Sequence, residues 1–392
     1  MSNTKELDII IYGATGYTGR LVCEYMWQQY GHDVSSVNWA MAGRSLDKLE
    51  QVRDELGISS GVPLIVADAS STSSMDSLAQ RAHVVATTVG PYQLYGSDLV
   101  RACAESGTDY VDLCGEPAWM HEMIDAYGET ARASGARIVF SCGFDSIPFD
   151  LGVLFLQQTA QEKIGGPVSR IKGRVRSMQG TFSGGTLASF KATMAAAAKK
   201  PEMIGVLMDP FALTQDFSGP EQPSGLAPIF EEELDSWSAP FIMATINTKN
   251  IHRSNLLLGH AYGIDFVYDE MLLTGPGDSG EAVAKAVAED KSMAENPIKP
   301  GEGPSKEERD NGFYEVLFAG SNGDGKTVSV SVRGDKDPGY GSTSKMIAES
   351  AVCLLLNRDT ELRGILTPAS GLGSLLIDRL QKNAGLTFQV ES

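Results

Sequence analysis

The stretch Asp8-Ile-Ile-Ile-Tyr-Gly-Ala-Thr-Gly-Tyr-Thr-Gly19, followed by Arg20-Leu-Val-Cys-Glu-Tyr-Met26, decides the fold of this chain. Its β-branched residues predict a short buried strand, and the residues from Arg20 onward predict a helix. Gly13 permits a tight turn between them, Gly16 lets the backbone approach a pyrophosphate, and Gly19 lets helix and strand pack closely. The helix N-terminus then offers N–H groups to the anion. With 42 glycines among 392 residues, a triplet alone is also typical of an ordinary turn. The strand-turn-helix context favours a dinucleotide site.

The second strand indicates which dinucleotide binds. Residues 37–42 predict a strand that ends in Gly43-Arg44-Ser45. An NAD site usually has an acidic residue at this point, which bonds the ribose 2′-hydroxyl. Arg44 stands there instead, and a guanidinium can pair with a 2′-phosphate. Ser45 and Lys48 add possible donors. NADP(H) is therefore predicted over NAD(H), the alternative being an arginine that is merely solvated in a turn.

Further apolar runs predict four more strands separated by helices, at residues 62–67, 83–89, 110–113 and 137–141. Residues 1–150 thus predict an α/β domain with a Rossmann-like, doubly wound parallel sheet. Ligands bind at the carboxyl ends of such strands. Asp68 follows the third strand, where it can face adenine or cap the next helix. The predicted cofactor-binding residues are Gly13, Thr15, Gly16, Tyr17, Thr18, Gly19, Arg44, Ser45, Lys48, Asp68, Gly90, Pro91 and Tyr92.

The pattern changes after Pro148. Residues 313–318 and 327–332 predict two strands, joined by a hairpin turn at Asn322-Gly-Asp-Gly-Lys326. Residues 151–340 are therefore predicted to form a second, α+β domain with an antiparallel sheet, for substrate binding or dimerisation. Residues 341–392 predict a helical segment that packs back on the first domain. The range 209–240 holds five prolines and an acidic run. It predicts either a solvated loop or a cover over the substrate, and Ser183 is predicted to cap a helix that runs through Lys200.

Composition excludes several classes of function. The net charge of −18 argues against a nucleic-acid partner. No run of about 18 apolar residues predicts a transmembrane helix, and the polar first residues lack the apolar core of a signal peptide. The five cysteines form no CxxC pair, which predicts neither a metal site nor a disulfide framework. A cytoplasmic location is expected.

Several motifs together resemble the saccharopine-dehydrogenase-like oxidoreductases, with the strongest likeness to their trans-acting enoyl reductase branch. These motifs are residues 13–19, 88–92, 109–112, 143–148 and 337–341, supported by residues 240–244, 253–255 and 366–369. The resemblance covers nearly the whole chain. It implies a Rossmann domain followed by an α+β domain. It also implies reduction of an enoyl thioester carried on a polyketide synthase.

The proton donor is harder to predict. No tyrosine has a lysine four residues later, so the tyrosine–lysine pair of short-chain reductases is excluded. The candidates are Tyr92, Glu116 and Asp145, which follow the fourth, fifth and sixth predicted strands. Each could instead have a structural role, with Tyr92 stacking near nicotinamide and the two acids bracing turns. Water could also supply the proton.

We therefore predict an NADPH-dependent oxidoreductase that reduces an enoyl thioester or a related unsaturated carbonyl compound. Its substrate is predicted to be a small molecule or a carrier-bound acyl group, and a homodimer is possible. One alternative is a saccharopine-type amino-acid or imine dehydrogenase. That enzyme needs a cationic pocket, for which Arg174, Arg176 and Arg253 are available. The other alternative is a non-catalytic NADP(H)-binding sensor or scaffold protein.

Overall fold

A computed structural model describes residues 5–31, 37–180, 184–200, 202–290 and 302–391. Its first sheet has seven strands, all paired in parallel in the order β13-β6-β5-β4-β1-β2-β3. These are β1 Leu7–Tyr12, β2 Trp39–Gly43, β3 Leu64–Val66, β4 Ala82–Thr87, β5 Asp109–Val111, β6 Arg137–Val139 and β13 Gly364–Leu366. The six N-terminal strands confirm the predicted doubly wound parallel sheet. The order reverses between β1 and β4, and ligands bind at such a switch point.

The second sheet also has seven strands, in the order β14-β12-β11-β7-β10-β9-β8. These are β7 Arg170–Gln179, β8 Ile229–Glu231, β9 Ser236–Pro240, β10 Val267–Gly275, β11 Phe313–Ser321, β12 Thr327–Gly334 and β14 Leu386–Val390. The predicted hairpin joins β11 to β12. However, β7 and β10 pair in parallel, so the sheet is mixed and not wholly antiparallel as predicted.

Helices connect and cover the two sheets. They are α1 Tyr17–Tyr30, α2 Leu46–Glu55, α3 Thr72–Arg81, α4 Tyr92–Tyr95, α5 Ser97–Ser106, α6 Pro117–Ser134, α7 Ile147–Ile164, α8 Gly184–Lys199, α9 Glu202–Met208, α10 Ala244–Leu257, α11 Gly277–Glu289, α12 Lys306–Asn311, α13 Thr343–Leu356, α14 Pro368–Gly371 and α15 Gly373–Arg379. The predicted cap at Ser183 lies outside the described residues. No helix in the described ranges has the length and apolar character needed to cross a membrane.

Helix α7 runs from the first sheet into the second and is buried along most of its length. A Cβ atom at Gly152 would lie 2.3 Å from the ring of Phe318 in β11, so the absence of a side chain lets this helix approach the sheet closely. In the second sheet, fully buried Arg174 pairs with Asp269 at 2.7 Å and also with Glu231. These contacts satisfy charges that would be costly to bury alone.

The C-terminal segment reaches both sheets. The buried carboxylate of Glu349 in α13 accepts hydrogen bonds from the hydroxyls of Tyr25 at 2.7 Å and Tyr30 at 2.5 Å, both on α1. Arg379 contacts the same carboxylate at 2.7 Å. Residues 341–392 are not only helical as predicted, because they also contribute β13 to the first sheet and β14 to the second. The division into domains at residues 150 and 340 stays a prediction.

Candidate active site

The carboxyl ends of β1 to β6 open into one cleft of about 750 Å³. One side of the cleft is lined by residues that follow each of these six strands. The opposite wall comes from the second half of the chain, mainly from α8, α9 and residues 241–246. Its apolar lining residues are Phe190, Met194, Leu207, Met208, Phe241, Ile242, Met243 and Ile246. The cleft therefore joins a nucleotide-binding edge to an apolar wall.

The glycine loop, residues 13–19, lines the cleft at the end of β1. Gly13 has a φ of +93°, and a Cβ atom there would lie 2.6 Å from Oγ1 of Thr88. A Cβ atom at Gly19 would lie 2.0 Å from the carbonyl oxygen of Gly13, so only glycine lets α1 approach the loop this closely. Gly16 lies at the start of α1, and no side chain caps this helix end. Thr15, Tyr17 and Thr18 also line the cleft. The loop and helix end fit a pyrophosphate.

Arg44 directly follows β2 at the carboxyl edge of the first sheet. It lines the cleft, and its side chain is exposed. Its guanidinium has no hydrogen-bond or ion-pair partner among the described residues, so it is available to a ligand anion. Asp68 lines the same end. Its carboxylate accepts the N–H of Ser70 at 3.0 Å, and this bond holds the Asp68 pKa below its ordinary value. The helix cap considered for Asp68 is wrong, because Ser71 caps α3.

Two other residues predicted at this end do not line the cleft. The Ser45 side chain caps α2 by accepting the N–H of Lys48 at 3.4 Å, and the Lys48 side chain is exposed. Pro91 also lies outside the lining, although Gly90 belongs to it. The structure therefore brings ten of the thirteen predicted cofactor residues to the cleft, and leaves out Ser45, Lys48 and Pro91.

Tyr92 lines the cleft, but its hydroxyl is bonded within the protein. It donates to the carbonyl oxygen of Thr87 at 3.3 Å and accepts the N–H of Leu113 at 3.0 Å. Burial raises the pKa of this hydroxyl well above its usual value. The side chain thus ties the end of β4 to the residues after β5, an arrangement that favours a structural role for the hydroxyl.

Glu116 is buried, and its carboxylate is occupied by three donors. The N–H groups of Tyr92 and Gln93 donate to its two oxygens at 2.8 Å each, and the hydroxyl of Ser189 donates at 2.6 Å. Backbone N–H groups at the start of α4 are ordinary partners for a carboxylate. Glu116 therefore braces the turn at residues 90–92 and holds α8 against it, and it does not line the main cleft.

Among the described residues, Asp68 and Asp145 are the carboxyls that line the cleft, and Asp145 follows β6, away from the end where Arg44 and Asp68 lie. Its side chain makes no hydrogen bond or ion pair with the described residues, and burial raises its pKa to about 7. Its neighbours are fixed: the Phe144 N–H donates to Oγ1 of Thr343 at 2.9 Å, and Asn250 donates to Oγ of Ser146 at 2.8 Å. Asp145 is thus held in place with its own carboxyl available to a ligand.

Sequence reasoning missed the apolar wall. The cover considered for residues 209–240 is wrong, because none of these residues lines the cleft. The wall comes instead from α8 and α9, just before that range. Contacts such as the one from buried Lys249, whose Nζ donates to the carbonyl oxygen of Leu207 at 2.9 Å, hold these helices in place. The alanine-rich sequence of α8 predicts a helix but carries no signal that it faces a ligand.

The cations considered for a carboxylate-binding pocket lie elsewhere. Arg174 is paired in the second sheet, and Arg176 pairs with Glu315 at 2.9 Å and Glu391 at 2.6 Å. Buried Arg253 donates to the carbonyl oxygens of Leu213 and Ile365, at 2.6 Å each. None of the three lines the cleft. A saccharopine-type substrate would therefore lack the cationic partners expected for its carboxylates.

No group of three or more histidine, cysteine and acidic side chains in the described ranges is arranged to hold a metal ion. All five cysteines are buried free thiols.

Comparison with known proteins agrees with this geometry. Residues 9–139 match the family model described as "Saccharopine dehydrogenase NADP binding domain". A Mycobacterium tuberculosis (strain H37Rv) protein, provisionally named as a trans-acting enoyl reductase, is 39% identical over 98% of this chain and 97% of its own length. The trans-acting enoyl reductase of Mycobacterium ulcerans is 36% identical over 97% of this chain and 96% of its own. The chain belongs to the trans-acting enoyl reductase family. It is an NADP(H)-dependent oxidoreductase, as predicted.

A solved structure shows the same fold. Saccharopine dehydrogenase (L-Glu forming) from Saccharomyces cerevisiae, in its apo form, aligns with a TM-score of 0.55 over 98% of this chain and 100% of its own. The two sequences are only 11% identical, so this likeness concerns the fold alone. Together with the free Arg44 and the glycine loop, the matched NADP-binding domain supports NADP(H) as the cofactor.

Proposed function

We propose that this chain reduces the carbon–carbon double bond of an α,β-unsaturated acyl thioester, using NADPH. The observation that carries the proposal is the composition of the cleft. Among the described residues of the wall formed by α8, α9 and residues 241–246, none is charged. Eight of the lining side chains are apolar, and Thr186, Ser189, Thr193 and Thr245 add hydroxyl groups. Such a wall suits an acyl chain, because ligand sites are mostly apolar with a few placed polar groups. It does not suit the charged groups of an amino acid.

The residues divide the work in the following way. The glycine loop and Arg44 bind the phosphates of the dinucleotide, and the Tyr92 ring borders the cleft at the end of β4. When bound, NADPH supplies the hydride that adds to the β-carbon of the substrate. Asp145 holds a proton that passes to the α-carbon as the double bond is lost, and solvent then returns a proton to its carboxyl. A pKa of about 7 lets this carboxyl hold and release a proton near neutral pH.

The test follows NADPH consumption with a panel of enoyl thioesters, and with amino acids and imines as the comparison panel. Oxidation with the thioesters alone is the expected result. Oxidation only with the second panel would favour a saccharopine-type dehydrogenase. Tight NADPH binding without turnover on either panel would favour a sensor or scaffold protein. Asp145→Asn should lower turnover on the thioesters by about 100-fold, within the usual range for loss of a general acid, and leave NADPH affinity unchanged.

The relatives' names also suggest where the substrate comes from. We infer that the thioester is presented on a carrier by a polyketide synthase that lacks this reduction step. The expected setting is the cytoplasm, where the five buried thiols would stay reduced. The homodimer stays a prediction, which light scattering of the purified protein can test.

A further inference from the structure

The turn of residues 337–341 meets the glycine loop across the cleft. Tyr17 lies in the first turn of α1 and lines the cleft from one side, while residues 338–340 line it from the other. The rings of Tyr17 and Tyr340 are in edge contact, with their centroids 4.7 Å apart. The buried carboxylate of Asp337 fixes the turn by accepting two of its backbone N–H groups, at 2.7 and 2.9 Å. The two walls of the cleft therefore touch at the start of α1.

A second segment, residues 302–312, packs against both tyrosines, and we call it the strap. The hydroxyl of Tyr17 donates to the carbonyl oxygen of Pro304 and accepts a hydrogen bond from Arg309, whose guanidinium carbon also lies 5.6 Å from the centre of the Tyr17 ring. Arg309 donates to the same carbonyl oxygen at 2.8 Å. The hydroxyl of Tyr340 donates to the carbonyl oxygen of the first residue of the strap at 3.1 Å. The strap is thus tied to a residue from each wall of the cleft.

Two glycines let the strap come this close. A Cβ atom at Gly303 would lie 2.6 Å from the ring of Tyr17, and one at Gly312 would lie 2.4 Å from Cα of Asp337. The Asp337 N–H also donates to the carbonyl oxygen of Arg309 at 3.1 Å. Most side chains of the strap are exposed, so polar contacts hold it in place more than apolar burial does. Segments with few buried apolar contacts open locally at a low cost in free energy.

We propose that the strap and the 337–341 turn close over the bound dinucleotide, and that the Tyr17 hydroxyl sets the rate at which the cofactor leaves. The dinucleotide extends from Arg44 past the glycine loop, and its pyrophosphate at the start of α1 lies beside the two tyrosine rings. Release then requires the contacts of Tyr17 with the strap to break. Tyr17 and Arg309 are thereby positioning residues for the cofactor. This inference goes beyond the proposed function, because it holds whichever substrate is reduced.

Cofactor release can be measured without any substrate. Stopped-flow fluorescence follows NADPH as it is displaced by excess NADP⁺, and the same measurement is made with NADH. Tyr17→Phe keeps the ring but removes both hydrogen bonds of the hydroxyl. We expect the release rate to rise about tenfold, the scale of one hydrogen bond to a charged group. The factor should be the same for NADPH and NADH, because the strap lies at the pyrophosphate and not at the 2′-phosphate.

The matched control is a second tyrosine close to the same turn. The buried hydroxyl of Tyr314 is hydrogen-bonded to Oγ of Ser342 at 2.9 Å, and this residue does not line the cleft. Tyr314→Phe also deletes one bonded hydroxyl, so it should lower Tm but leave the release rates of both cofactors unchanged.

A second variant displaces the strap without altering the glycine loop. Gly303→Ala places a methyl group against the ring of Tyr17, and release should again be faster for both cofactors. Its control is Gly323→Ala, in the turn between β11 and β12, where a Cβ atom would meet no other atom within 4 Å. Amide exchange gives an independent measurement. Saturating NADP⁺ should slow exchange in the strap of the unaltered protein, and slow it less in Tyr17→Phe.

Three results would overturn the proposal. Unchanged release rates in Gly303→Ala and in Tyr17→Phe would show that the strap does not retain the cofactor, and Gly303→Ala decides alone if Tyr17→Phe does not fold. Faster release of NADPH with no change for NADH would place the effect at the 2′-phosphate. An equal acceleration in Tyr314→Phe would mean a general loosening of the fold. None of these results depends on turnover of enoyl thioesters, so failure of the proposed function would leave this inference standing.

Discussion

Replacing Glu116 with glutamine separates a bracing role from a catalytic one. The carboxylate accepts the N–H groups of Tyr92 and Gln93 on separate oxygens, and also the hydroxyl of Ser189. A glutamine amide keeps one acceptor oxygen but turns an NH₂ group toward the other N–H. One charge-assisted bond is lost and one buried N–H is left unpaired, so we expect a loss of about 2–4 kcal/mol in stability.

Thermal unfolding measures this loss directly. The expected fall in Tm is about 2–5 °C, because the entropy of unfolding grows with chain length and a chain of this size shifts by only about 1.2 °C per kcal/mol. Amide hydrogen exchange should quicken at whichever of Tyr92 and Gln93 then faces the NH₂ group, because that N–H loses its acceptor. The matched control is Asp145→Asn, which removes a cleft carboxyl with no hydrogen-bond partner. Since burial raises the pKa of Asp145 to about 7, its charged form is penalised above that pH, and the asparagine should keep or raise Tm at pH values above 7.

The two variants should have opposite effects on stability and on turnover. Glu116→Gln should cost stability with a modest effect on turnover, and Asp145→Asn should cost turnover without lowering Tm. If Glu116→Gln left Tm within about 1 °C of the original while abolishing turnover, Glu116 would be the proton-transfer group and the bracing interpretation would be wrong.

Arg44→Ser should weaken NADPH binding about 10–100-fold, the scale of a charge-assisted hydrogen bond, and leave NADH binding nearly unchanged. Equal losses for both cofactors in a fluorescence titration would show that Arg44 does not contact the 2′-phosphate. Gly19→Ala should abolish NADPH binding or folding, because its Cβ atom would lie 2.0 Å from a carbonyl oxygen. In Gly16→Ala the nearest atom lies 3.4 Å from the Cβ, so this variant should fold normally. Equal Tm values for the two variants would contradict the expected difference. Burial raises the pKa of Asp112 and Asp150 to about 7, so the folded state keeps protons that the unfolded state loses above about pH 4. Tm should therefore fall as the pH rises from 5 to 8, and a Tm that rose over this range would mean that other groups dominate.

Local patterns predicted the nucleotide-binding half of the molecule well. The glycine spacing, the β-branched runs and the arginine after β2 each depend on neighbours close in sequence, so their chemistry is visible without a structure. Arg44 is an example: it directly follows a parallel strand, and the carboxyl ends of such strands lie at the ligand-binding edge of the sheet. Ser45 and Lys48 lie close to it in sequence, yet they do not line the cleft, because the Ser45 side chain caps α2 and Lys48 lies in the first turn of that helix.

Long-range contacts could not be predicted in this way. Glu116 looks like a cleft acid in the sequence, and only the folded chain shows that Tyr92, Gln93 and Ser189 occupy it. The apolar wall has the same origin, because Met194 and Ile242 are far apart in sequence and line one cleft only in the folded chain. The parallel pairing of β7 with β10 also depends on a crossover of 87 residues, from Gln179 to Val267, which no local pattern encodes.

The strand β13 has a consequence for how the chain folds as it is made. It pairs with β6, although more than 200 residues separate the two strands. At about 5–20 residues per second, the ribosome delivers β13 roughly 10–45 s after β6. Throughout that interval, one edge of the nucleotide-binding sheet carries unpaired backbone groups, which invite association with other chains. Newly made molecules are therefore most exposed to aggregation before this late strand arrives, and a chaperone that shields the β6 edge would raise the yield of active enzyme.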